Sequence, residues 1–146
     1  MHTPRPQSIH RPVILVVEDF EPLLRTIQDI LERDSFDVFF ARDADQAIRV
    51  ADSCMLPIHL LITKFYPRGM PGPDLAQRLR IHSPEMSVIY LAGNPLLALE
   101  IPDPAEVVSS MLPTPFSGKT LLSRINTMLA LQTSDSGASL VVSGKS

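Results

Sequence analysis

The chain has 146 residues, 45% of them hydrophobic and 20% charged, with a formal net charge of -3 and an isoelectric point near 5.7. That length fits one domain with a real hydrophobic core, and no apolar run is long enough to span a bilayer. The mildly acidic balance gives no electrostatic reason to expect nucleic acid or an anionic membrane as a partner.

Residues 1–11 form a proline-containing arm without the apolar stretch of a secretory signal, so a cytoplasmic protein is expected. Cys54 is the sole cysteine, which excludes an intrachain disulfide and a cysteine-based zinc site. The four histidines, His2, His10, His59 and His82, lack the spacing of a metal cluster. The predicted domain covers residues 12–131, and residues 132–146, small and polar apart from Leu140, Val141 and Val142, read as a disordered tail.

Val13–Val17 is a continuous valine-rich run, as expected of a strand buried on both faces of a parallel sheet. It ends in Glu18 and Asp19. Pro22 suits the first turn of a helix, and Leu23, Leu24, Ile27, Ile30 and Leu31 recur at helical spacing along one face. Asp37–Ala41 holds the β-prone Val38, Phe39 and Phe40. Asp43 and Gln46 then have the spacing of a capping box opening a helix to about Asp52. Residues 59–63 form a third strand ending just before Lys64. Gly72 and Pro73 read as a cap followed by proline at the start of a helix carrying Leu75, Ala76, Leu79 and Ile81. A fourth strand covers 87–91, and a short helix, stopped by Pro102 and Pro104, lies within the segment that follows. A fifth strand covers 107–112. The last helix starts at Ser117 as N-cap and repeats Leu121, Leu122, Ile125, Met128 and Leu129 on one face.

Strands and helices alternating at this spacing predict a doubly wound parallel α/β sheet. A flavodoxin-like strand order, 2-1-3-4-5, sets the carboxyl ends of the first and third strands side by side at the switch point, where ligands and chemistry collect. Glu18 and Asp19 are therefore expected near Lys64. Gly69 and Gly72 make no phosphate-binding fingerprint and read as turn residues. Phe65 and Tyr66, beside the site, fit either packing or a recognition patch.

Four segments in this order, VILVVEDFEPLLR, LLITK with GMPGPDLAQRLR, VIYLAG and LPTPF, resemble the response-regulator receiver domain, the CheY-like family of two-component signalling. The resemblance implies a phosphorelay site. Acidic residues after the first strand hold Mg²⁺, an aspartate ending the third accepts phosphate, a hydroxyl residue after the fourth senses it, and a lysine after the fifth contacts it. On that pattern Glu18 and Asp19 keep the acidic pair, while Lys64 stands at the phosphoacceptor position, Ala92 at the hydroxyl position and Thr114 at the lysine position. Met111 stands where an aromatic switch residue is usual.

A lysine ammonium has no lone pair to offer a phosphoryl group, and carboxylates beside it favour the charged form further. Lys64 is expected to sit at the Mg²⁺ position and to pair with Asp19, Glu18 or both, leaving Mg²⁺ binding weak or absent. The resemblance then implies a degenerate, stand-alone pseudo-receiver: no enzyme and no cofactor, but a module acting through a protein partner such as a histidine kinase or another response regulator. Leu96, Leu97 and Leu99 fall on the face that the family usually offers to partners. Two other readings stand beside it: a conventional receiver using a non-standard acceptor residue, and a flavodoxin-like binder of a small ligand.

Overall fold

The structure, a computed structural model, describes residues 11–93 and 110–145, with side chains as far as Gln132. Five parallel strands, β1 (Val13–Val17), β2 (Asp37–Ala41), β3 (Leu60–Lys64), β4 (Ser87–Ala92) and β5 (Met111–Pro113), form one sheet in the order β2-β1-β3-β4-β5. Four helices are described: α1 (Glu21–Leu31), α2 (Ala44–Ser53), α3 (Gly72–Leu79) and α4 (Gly118–Lys145). The expected flavodoxin-like order is the one found.

All five residues of β1 are buried because the sheet is covered on both faces. Val13, Leu15 and Val17 point to one side, with Leu61, Val88 and Tyr90 and the helices α2 and α3. Ile14 and Val16 point to the other, with Leu60, Ile62 and Ile89 and the apolar faces of α1 and α4. Alternation thus sends one uninterrupted apolar run into two cores. On α2 the buried residues are Ala44, Ala47 and Ala51, whose small side chains let that helix lie close to the sheet.

Local signals account for the helix starts. Asp43 accepts a hydrogen bond from the Gln46 N–H at 2.7 Å, and the Gln46 side chain accepts in return from the Arg42 N–H at 2.7 Å. At α4 the Ser117 hydroxyl accepts from the Thr120 N–H at 3.0 Å. Both caps satisfy donors that a first helical turn leaves unpaired.

Several boundaries differ from the sequence reading. Strand β3 takes in Lys64 as its last residue, because the ladder to β4 continues one step further, to the Lys64–Leu91 pair. The cap of α3 is Pro71, with Gly72 already inside the helix, which ends at Leu79 and leaves Ile81 76% exposed. Strand β5 is described as Met111–Pro113 rather than 107–112, with residues 94–109 outside the described set. The expected short helix and its Leu96, Leu97 and Leu99 therefore lie outside the described residues. The backbone of α4 continues to Lys145, where an irregular tail is predicted from composition. Extending a helix that is already formed needs no new nucleus, a contribution that composition alone leaves out.

Gly72 locks the turn after β3. Its N–H donates to the Phe65 carbonyl at 2.7 Å, and a Cβ at this position would lie 2.9 Å from that same oxygen and 3.1 Å from the Lys64 carbonyl oxygen. Both neighbours are backbone, so neither yields without moving the strand end. Gly72→Ala is expected to cost about 1–3 kcal/mol, the range for overpacking a tight site, read as a lowered midpoint in urea unfolding with an unchanged slope.

Candidate functional site

Parallel pairing of β1 with β3 sets Val17 beside Thr63, so the residues that follow these strands meet at the carboxyl edge of the sheet. The Lys64 ammonium donates a hydrogen bond to Asp19 Oδ1 at 3.0 Å. Arg68, four residues on in the loop after β3, places Nη2 3.8 Å from Asp19 Oδ2. Both oxygens of Asp19 thus face cations. The hydrogen bond from Lys64, with the positive charge of Lys64 and Arg68, holds the Asp19 carboxyl below its ordinary value against the opposing effect of partial burial.

Glu18 takes a different course. Its residue is only 3% exposed, and its Oε2 accepts from the Phe20 N–H at 2.9 Å at the entrance to α1. The two neighbouring acids therefore divide, Asp19 forming the ion pair and Glu18 tying down the β1–α1 turn. Of the two carboxylates expected around Lys64, only Asp19 pairs with it in the described structure.

The strand end carrying Lys64 and the loop after it are fixed on several sides. The Thr63 hydroxyl donates to the Lys64 carbonyl at 2.9 Å, and the Phe65 N–H donates to the Leu91 carbonyl at 3.1 Å. The Arg68 carbonyl accepts from the Ala44 N–H at 2.9 Å, and Gly69 takes a φ of 111°, a region open to glycine without strain. Phe65 is buried in the core and meets Tyr66 edge-on at 4.9 Å and Tyr90 at 5.8 Å. Packing is the role of Phe65, while Tyr66, 41% exposed, and Phe20, 61% exposed, stand at the surface.

The remaining predicted positions are near the adjoining strand ends. Ala92 closes β4, buried, and its carbonyl accepts from the Thr114 N–H at 3.1 Å. The Thr114–Pro115 peptide bond is cis. Met111 is buried opposite Tyr90 in the core shared with α2 and α3, and its carbonyl accepts from Arg124 at 2.8 Å. Arg68 is the participant missing from the sequence reading, although a basic residue four places beyond Lys64 in one loop was a usable signal. No group of three or more His, Cys, Asp or Glu side chains comes together in metal-binding geometry among the described residues. No described helix is long and apolar enough to cross a membrane.

A doubly wound five-stranded domain with its acidic pair after β1, facing the end of β3 at the switch point, has the build of a receiver domain. Comparison with solved structures agrees. The signal receiver domain of an HD domain-containing protein from Pseudomonas fluorescens Pf-5 is 30% identical, with a TM-score of 0.73 over 87% of this chain and 93% of that one. A response regulator receiver domain protein from Clostridium thermocellum is 25% identical, with a TM-score of 0.71 over 84% and 97% of the two chains. The transcriptional regulatory protein CpxR of Escherichia coli K12 is 29% identical over 120 residues, 80% of this chain. The chain spans about half the length, 48%, of that curated relative, and a scan of protein-family models finds no match. The chain belongs to the response-regulator receiver domains, and so to the proteins of two-component signalling.

The Lys64 and Asp19 side chains are 41% and 32% exposed, so water screens their attraction and the pair is worth about 0.2–1 kcal/mol. Because the folded carboxyl is held low, this stabilisation is complete above the unfolded aspartate value of about 3.9 and is lost as pH falls through the folded value. Asp19→Asn is expected to unfold slightly more easily than wild type at neutral pH. The gap should shrink below about pH 4 as the wild-type carboxyl protonates, as read from urea midpoints across an acid series.

Proposed function

We propose that this receiver domain is a pseudo-receiver, whose output depends on binding a protein partner and not on phosphorylation at the usual position. The observation that carries the reading is the 3.0 Å bond from Lys64 to Asp19, at the place where the family resemblance puts the phosphoacceptor aspartate. Receiver phosphorylation needs a carboxylate oxygen as nucleophile and a metal to neutralise the transferred group. Lys64 supplies neither lone pair nor negative charge.

The residues present do not suit Mg²⁺. A hard cation takes oxygen ligands in octahedral array, and here an ammonium faces one Asp19 oxygen while a guanidinium faces the other. Replacing a carboxylate by Lys64 changes the local charge by about two units, in the sense that repels a divalent cation. The switch positions point the same way. Ala92 has no hydroxyl to follow a phosphoryl group, Thr114 has no ammonium to contact it, and Met111 is a buried core residue.

A partner recognises such a domain by surface complementarity alone, and a histidine kinase or another response regulator is the partner class that the family suggests. By occupying a surface that a working receiver also uses, the domain would act by competition.

Incubation with a small phosphodonor and Mg²⁺, followed by intact-mass analysis, is expected to give no base-labile phosphoryl adduct. Lys64→Asp alone is expected not to restore phosphorylation-dependent switching, because Ala92 and Thr114 remain. A stoichiometric adduct on the wild-type chain would overturn the reading.

A further inference from the structure

Strand β2 is an outer strand, paired among the described residues with β1 alone. Its Asp37 N–H donates to the Pro12 carbonyl, and its Ala41 carbonyl accepts from the Glu18 N–H, so Asp37, Phe39 and Ala41 turn their main-chain groups toward β1. By the two-residue period of a parallel strand, Val38 and Phe40 turn theirs outward. The sequence of this edge, DVFFA, has no lysine and no proline, and its one charge is at the start. Natural sheets guard such edges with charge, proline or brevity, as β5 does with its three residues ending in Pro113.

The flanks of the edge are open as well. On the α2 side a groove of about 630 Å³ is lined by Phe39, Val50, Met55 and Leu56 among others. On the α1 side a second groove of about 450 Å³ is lined by Leu31, Phe36, Val38 and Phe40 among others. Phe39 is 41% exposed, Leu56 44% and Met55 96%. The two grooves flank the strand, one on each face of the sheet.

We propose that β2 is a self-association edge, on which a second copy of this chain pairs antiparallel, β2 to β2, about a two-fold axis at Phe39. Centring the pair there sets Val38 of each copy opposite Phe40 of the other. These are the residues whose N–H and C=O groups point outward, and each such pair exchanges two hydrogen bonds. Phe39 meets Phe39 across the axis as a closely spaced aromatic pair, removing its exposed ring from water. Asp37 falls opposite Ala41, so no like charges face one another. Shifting the centre one residue toward the carboxyl end would set Asp37 opposite Asp43, which disfavours that register. The edge is thus complementary to itself, as a two-fold interface must be, and the two sheets become continuous.

The test is the mass of the full chain by sedimentation velocity from low to high micromolar concentration. Wild type is expected to reach twice the 16.1 kDa chain mass. Phe39→Lys, which sets two cations against each other at the axis, is expected to stay at 16.1 kDa with an unchanged far-UV circular dichroism spectrum. A second variant works even if that one folds poorly. In a Cys54→Ser background, Phe39→Cys would place two thiols at a closely spaced pair with Cα atoms about 4.5 Å apart, within disulfide reach. It should oxidise to a covalent dimer far faster than Ile81→Cys in the same background. A wild-type monomer throughout the range, an undiminished dimer in a folded Phe39→Lys, or cross-linking at Phe39→Cys no faster than at Ile81→Cys would each overturn the proposal. The monomer result would leave the edge to an extended segment of a different protein.

Discussion

Everything at the functional edge of this domain follows from β1 and β3 lying next to each other in parallel. Four residue pairs, from Ile14–Leu60 to Val17–Thr63, fix their register, and all eight side chains are buried. A slip of one residue would turn each apolar side chain to the opposite core, so packing on both faces holds the register. The consequence is chemical. Whatever follows Val17 must face whatever follows Thr63, and in this chain that brings a carboxylate to an ammonium.

The arrangement around Asp19 is one of charge neutralisation. In a phosphorelay site, acids are concentrated so that their mutual repulsion is relieved by a divalent cation. Here cations of the chain itself lie beside Asp19, Lys64 3.0 Å from one oxygen and Arg68 3.8 Å from the other. Glu18 is withdrawn into the β1–α1 turn. Among the described residues three local features hold the ends of the framework: Gly72 closes the loop against the end of β3, the Thr114 N–H ties β5 to Ala92, and Ser117 caps the last helix. A scaffold kept in this detail around a neutralised centre is what supports a binding role for the domain.

Much of the architecture was legible in the sequence because its determinants are local or periodic. The unbroken VILVV run announced a strand buried on both faces, Asp43 and Gln46 announced a cap, and strand-helix alternation announced the sheet. What escaped depends on distant partners or on the cooperativity of the backbone. Lys64 belongs to β3 because Leu91 pairs with it from the neighbouring strand. Gln132 anchors the middle of α4 by donating to the His59 carbonyl and the Ser87 hydroxyl, both at 2.7 Å, contacts across 73 and 45 positions that no periodicity reveals. Arg68 reaches Asp19 from a loop held by the Ala44 N–H on its carbonyl and turned at Gly69, whose φ is positive. The division of labour between Glu18 and Asp19 was likewise invisible, since it rests on which of two adjacent side chains finds the Phe20 N–H.

In the proposed pseudo-receiver, the Lys64 ammonium takes the place of the metal at the switch point. Titration of the folded protein with Mg²⁺, followed by amide chemical shifts of Glu18, Asp19, Phe20 and Lys64, tests this. No saturable response is expected at these residues up to millimolar Mg²⁺. Saturation with a sub-millimolar dissociation constant, centred on Glu18 and Asp19, would contradict it.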